Sequence, residues 1–159
     1  MFFTPRLGNE RLRILNLIKK DEIVADLFAG AGPFAVLIAK KSQCKKVIAN
    51  DINKDAVKLL KENAELNKIK NMEIYNKDAK EFKGLKADRI IMNIPKFSEK
   101  FIGTALKNVK KKGTIHYYTF SRDEKEARGQ VKGLKVKKIT RCGDLSPGIY
   151  RYCVDIRIS

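Results

Sequence analysis

The sequence predicts an α/β domain built on a largely parallel β-sheet. Three observations carry this. Short apolar runs alternate with amphipathic segments along the chain, as strands alternate with crossover helices. A glycine turn, Gly30-Ala31-Gly32, directly follows the first strong apolar run. The 159 residues suit one domain and leave little room for two.

The elements follow in order. Residues 7–18 form an amphipathic helix with Leu12, Ile14, Leu15, Leu17 and Ile18 as its apolar positions. The run 23–28 is a first strand ending in the glycine turn. A helix fits 33–41, with Pro33 tolerated in its first turn. A second strand covers 46–51, and a strong helix covers 55–67, with Ala56, Leu59, Leu60 and Leu66 on one face. Strands three and four are 72–75 and 87–92, the latter stopped by Pro95. A helix is expected over 97–109, with Gly113 closing that region. The fifth strand is 114–120, a helix fits 123–131, and 136–141 and 150–158 close the sheet. The last strand alternates Tyr152, Val154, Ile156 and Ile158, which predicts a half-buried antiparallel strand.

Composition narrows the function. The chain has 35 Lys+Arg against 18 Asp+Glu, a net charge of +17, which points to a polyanionic partner, nucleic acid first. A lysine-rich solubilising surface is the alternative. No apolar run is long enough to span a membrane, and no secretory signal is visible at the start, so a cytoplasmic monomer is expected. Cys44, Cys142 and Cys153 are odd in number and form no CxxC, and His116 is the single histidine, in an apparent strand. A disulfide framework, a metal centre and a Ser-His-Asp machine therefore have little raw material.

In parallel sheets ligands bind beyond the carboxyl ends of the strands. After strand one the chain reads Asp26-Leu27-Phe28-Ala29-Gly30-Ala31-Gly32-Pro33-Phe34. Gly30 and Gly32 allow a tight turn and a close ligand approach, and Gly30-x-Gly32-x-x-Ala35 satisfies the loose dinucleotide fingerprint. Asp51 after strand two can accept both hydroxyls of a ribose. Asp78-Ala79 after strand three can accept from an adenine amino group. Asp26 close to the turn repels a pyrophosphate and attracts a cationic amino acid, which favours S-adenosylmethionine over NAD. Its alternative role is a turn-capping carboxylate. Strand four ends in Asn93-Ile94-Pro95-Lys96, where the Asn93 amide offers an acceptor that can hold a planar nitrogen nucleophile; otherwise Asn93 caps the following helix.

Taken together, Phe3-x-Pro5-Arg6-Leu7 with Asn9-Glu10-Arg11, the glycine turn, Asp51-Ile52-Asn53, Asn93-Ile94-Pro95-Lys96 and Ile115-His116-Tyr117-Tyr118 resemble the archaeal and eukaryotic tRNA (guanine-37 N1)-methyltransferases. The likeness covers nearly the whole chain but only the catalytic part of that family, whose full-length members carry N-terminal tRNA-binding domains. Asn9 stands where the family usually has Thr. The resemblance implies a Rossmann-like class I methyltransferase fold: a mostly parallel seven-stranded sheet with an antiparallel last strand and helices on both faces. Residues 1–20 then form an N-terminal helical element contributing to the site.

The resemblance further implies S-adenosylmethionine as methyl donor and guanine N1 of tRNA, next to the anticodon, as acceptor. It marks Glu10 as the base and Asn93 as its catalytic companion. It places Arg11, Asp51, Ile52, Asp78, Ala79 and Asn93 against the cofactor, beside the turn residues Asp26, Phe28, Gly30, Gly32 and Phe34 already expected there. On charge grounds Arg6 and Lys96 are expected near tRNA phosphate, with Pro95 beside them. From the residues alone, Glu10 reads as a solvated helix residue paired with Arg13 or Arg6. Three other functions remain open at this point: methylation of the tricyclic wyosine precursor at the same tRNA position, a non-catalytic RNA-binding module, and a nicotinamide-dependent oxidoreductase.

Overall fold

The computed structural model describes residues 8–159. The expected alternation is present: α1 (Gly8–Leu17), β1 (Ile23–Asp26), α2 (Ala35–Lys41), β2 (Lys46–Asn50), α3 (Lys54–Leu66), β3 (Met72–Tyr75), β4 (Ala87–Met92), α4 (Ser98–Asn108), β5 (Val109–Ser121), α5 (Glu124–Gly129), β6 (Lys135–Ser146) and β7 (Ile149–Arg157). The strands form one seven-stranded sheet in the order β3-β2-β1-β4-β5-β7-β6. Neighbours from β3 to β5 pair in parallel. β7 runs antiparallel to both β5 and β6. The order reverses between β1 and β4, so a crevice opens beyond Asp26 and Met92.

Two apolar clusters cover the sheet. One gathers Ala25, Leu27, Ile90, Met92, Tyr117, Val154 and Ile156. The other gathers Ile14, Val24, Phe34, Ile38, Leu60, Ile91 and Tyr118. Successive strand residues alternate between them, as the pleat requires. Among the described residues no helix is long and apolar enough to cross a membrane.

Four expectations need correction. The last strand is not half-buried: Tyr152 through Ile156 are all buried, because β7 lies inside the sheet and its Cys153–Asp155 face is covered too. The fifth strand begins at Val109 rather than at 114, directly after the expected helix, so Gly113 does not close the helical region. Gly113 sits inside β5, where a Cβ would meet the Asp88 carbonyl oxygen at 3.0 Å, so its glycine signal marks a close backbone approach. In α1 only Glu10 and Ile14 are buried, while Leu12 and Leu17 face outward. In α3 the buried face is Ala56, Val57, Leu60 and Ala64, and Leu59 and Leu66 are exposed.

Candidate active site

The cleft is assembled by backbone turns at the strand ends. Gly30 and Gly32 have φ of 59° and 97°, the left-handed region that glycine enters freely. Their turn is pinned from three sides. The Asp51 carboxylate accepts the Gly30 amide at 2.9 Å. The Ala29 amide donates to the Asn50 carbonyl at 2.8 Å. Asn63 of α3 donates to the Ala31 carbonyl at 2.9 Å. Asn50 is fully buried and clasps two loops, donating to Leu27 O and Lys77 O and accepting the Lys77 amide. Sequence reading missed Asn50, which looks like an ordinary last residue of a strand.

The resulting cleft has a volume of about 320 Å³. Phe28, Gly30, Asp51, Ile52, Asp78, Ala79 and Asn93 all line it, joined by Ile94 and Phe101. Seven of the expected cofactor positions are thus brought together. Asp51 also accepts the Asn53 amide at 2.9 Å. Asp78 caps a short 3₁₀ turn, Ala79–Glu81, in a reciprocal capping box with Glu81. Phe28 and Phe101 meet edge to face at 4.9 Å. The cleft suits an adenosyl group: two carboxylates accept from its hydroxyl and amino donors, and an apolar wall faces a planar base.

The remaining expected residues lie elsewhere. Asp26 is 1% exposed and outside the cleft lining; its Oδ1 has no partner. Burial, and then the Asp51 charge, push its carboxyl up to about 7. It is therefore packed beneath the cleft surface rather than lining it. Phe34 packs in the core against Tyr118 at 5.9 Å. Arg11 and Gly32 border a second groove with Lys40, Lys41 and Asn63, which shares only Pro33 with the cleft. Pro95 and Lys96 line a surface depression with Phe97, Thr119 and Leu145. Arg6 lies outside the described residues.

Glu10 is 3% exposed, so it is not a solvated helix residue. It borders a pocket of about 460 Å³ with Asn9, Arg13, Cys142 and Gly143. Arg13 Nε donates to both of its oxygens, at 2.8 and 3.1 Å, and the Tyr118 hydroxyl donates to Oε1 at 3.2 Å. Arg13 also donates to Asp155 at 2.8 Å. Asp155 holds His116 Nδ1 at 2.7 Å, His116 Nε2 meets Arg89 at 3.1 Å, and Arg89 donates to Glu22 at 2.7 Å. Arginine can only donate, so Nε2 accepts and Nδ1 carries the proton. Burial opposes ionisation of Asp155, yet the hydrogen bonds from His116 and Arg13 hold its carboxyl well below the usual carboxylate range. His116, Cys153 and Asp155 bring ligand-type atoms within 4.8 Å, but the Arg13 and Arg89 guanidiniums occupy this cluster.

Arg151 of β7 touches both Asn93, which lines the cleft, and Tyr118, which hydrogen-bonds to Glu10. Its guanidinium lies over the Tyr118 ring at 5.1 Å and donates to Asn93 Oδ1. The amide acceptor expected at the pocket mouth is present and is held by an arginine that sequence reading did not single out.

A mostly parallel seven-stranded sheet reversing at β1, with its cleft beyond β1, β2 and β4, defines the Rossmann-like methyltransferase class. Residues 1–142 match the TRM5/TYW2 methyltransferase domain, and the chain belongs to this family. The tRNA (guanine(37)-N(1))-methyltransferase Trm5b of Pyrococcus abyssi is 37% identical over 172 residues, covering 100% of this chain and 51% of that protein. The corresponding Methanocaldococcus jannaschii enzyme is 44% identical over 124 residues, covering 77% of this chain and 36% of that protein. The crystal structure of Methanocaldococcus jannaschii Trm5 with adenosine superimposes with a TM-score of 0.91 at 37% identity, over 99% of this chain and 50% of that one. The chain thus spans about half the length, or less, of these relatives.

Proposed function

We propose that residues 1–159 act as a catalytic unit that transfers a methyl group from S-adenosylmethionine to N1 of guanine at position 37 of tRNA. The observation that carries this reading is the convergence of Asp51, Asp78, Ala79 and Asn93 on one cleft in a chain 44% identical to a curated enzyme of that activity. The adenosine bound by the Methanocaldococcus jannaschii neighbour supports the adenosyl part of the assignment. The net charge of +17 supports a polyanionic partner. In this reading the protein works in the cytoplasm, where its three free cysteines stay reduced.

Each residue has a defined task. Asp51 accepts the ribose hydroxyls, and Asp78-Ala79 faces the adenine. Phe28, Ile52 and Phe101 exclude water around the base. When bound, the cofactor supplies a methyl group on a cationic sulfur, made electrophilic by that charge. Asn93 holds the acceptor base at the cleft mouth, so that positioning supplies much of the rate. N1 of guanine carries a proton at neutral pH, and Glu10 takes it; Arg13 and Tyr118 fix the carboxylate at the pocket rim.

The test is incubation of the chain with labelled donor and unmodified tRNA, followed by nucleoside analysis. 1-Methylguanosine at position 37 is expected. Label on tRNA bearing the tricyclic wyosine precursor alone would move the assignment to the wyosine branch. Salt-sensitive tRNA binding with no incorporation on either RNA would leave only a binding module.

A further inference from the structure

Arg151 lies in β7, and its side chain connects residues of the cleft and of the Glu10 pocket. Four observations define that connection. Its guanidinium donates to Asn93 Oδ1, the acceptor at the cleft mouth. It lies over the Tyr118 ring, whose hydroxyl donates to Glu10. It also reaches the Cys142 thiol, which borders the Glu10 pocket. Finally, its own Nε is buried without a partner. Arg151 therefore bridges residues of the cleft and of the Glu10 pocket, and it does so with one donor left unsatisfied. A buried unpaired donor costs free energy, so this seat is occupied but not perfectly matched.

The chemistry of the occupant identifies what it stands in for. The N1–C2–N2 edge of guanine is itself a guanidine unit, with two parallel N–H donors in one plane. The arginine head group is the same unit with a charge. Both are flat, both donate to a side-chain carbonyl, and both stack on aromatic faces. An acceptor base held by Asn93 would compete with the Arg151 head group for the same Oδ1.

We propose that Arg151 is an internal stand-in for the acceptor guanine, occupying Asn93 and the Tyr118 face until the guanidine edge of the RNA base displaces it. The proposal rests on the functional reading above. In the free protein Arg151 holds the Asn93 acceptor and covers the Tyr118 ring. On RNA binding it exchanges its hydrogen bond to Asn93 for one from the base. Arg151 is thus a competitor for the base seat and not a permanent clamp on Asn93. The two roles predict opposite effects of removing it.

The experiment compares affinities for two RNAs, an unmodified tRNA with guanosine at position 37 and the same tRNA abasic there, with S-adenosylhomocysteine present. Their ratio isolates the base, because the lost charge of Arg151 affects phosphate attraction to both RNAs alike. Arg151→Met keeps the alkyl packing and removes every donor. The preference for guanosine over the abasic RNA should rise by about threefold to tenfold, the worth of one hydrogen bond. Arg151→Lys, which keeps the charge and folds under a smaller change, should fall between wild type and Arg151→Met. An unchanged or reduced preference in both variants, with wild type still favouring guanosine, overturns the stand-in role and leaves the functional reading intact. Equal binding of the two RNAs by all three proteins, with no methyl transfer, overturns both.

Discussion

Asp51 accepts the amide hydrogen of Gly30 at 2.9 Å, so a single carboxylate ties the end of β2 to the turn after β1. Its other oxygen accepts from Asn53, the residue that caps α3. Asp51 therefore both shapes the cleft and lines it. Asp51→Ala should weaken S-adenosylhomocysteine binding by roughly 10- to 100-fold, the loss of two charge-assisted hydrogen bonds. Calorimetry checks this, and unchanged affinity would remove Asp51 from the site.

Glu10→Gln removes the proton acceptor while keeping an oxygen for Arg13 and Tyr118. Methyl transfer should slow by about 100-fold or more, with S-adenosylhomocysteine affinity within about twofold of wild type, since Glu10 does not line the cleft. Single-turnover kinetics beside calorimetry separates the two. A variant at full speed would show that another group takes the proton.

Asp26 gives the fold an unusual pH dependence. The folded carboxyl keeps its proton up to about 7, against the ordinary 3.8. Across that window the folded state binds more protons than the unfolded chain, so this residue lowers stability as pH rises. Asp26→Asn has no proton to lose. Its stability relative to wild type should grow between 3.8 and about 7, by roughly 2–4 kcal/mol, and then stay level. Urea unfolding at about pH 5 and about pH 8 tests this; a constant difference would contradict the burial argument.

The relay from Glu10 to Glu22 has the opposite sign. The Asp155 carboxyl sits well below its usual range, so its contribution is fully present above 3.8 and fades as pH falls lower. Asp155→Asn leaves Arg13 and His116 facing a neutral group and should cost about 3–5 kcal/mol near neutrality. The gap to wild type should narrow in acid, as thermal unfolding across pH would record.

The strand ends were legible because their signals are local. A glycine turn after an apolar run, and acids after the next two runs, mark the cleft before any contact is known, and Asp51, Asp78 and Asn93 do converge there. What could not be read was tertiary. Glu10, Arg13, Glu22, Arg89, His116 and Asp155 come from α1, the loop before β1, and strands β4, β5 and β7; beyond the Glu10–Arg13 pair, one helical turn apart, nothing in their spacing announces that they meet. Asp26 was misplaced because charge arguments ignore burial: next to a glycine turn it looks available, whereas it is packed away at the end of β1. Arg151 was invisible for another reason. Among 35 basic residues, one arginine at the start of a strand carries no distinguishing mark until the Asn93 amide is found against it.

Titration calorimetry with S-adenosylhomocysteine and with NAD tests the identity of the cleft most directly. The account predicts one site for S-adenosylhomocysteine, weakened by Asp51→Ala, and no measurable heat from NAD. Binding of NAD without binding of S-adenosylhomocysteine would contradict it.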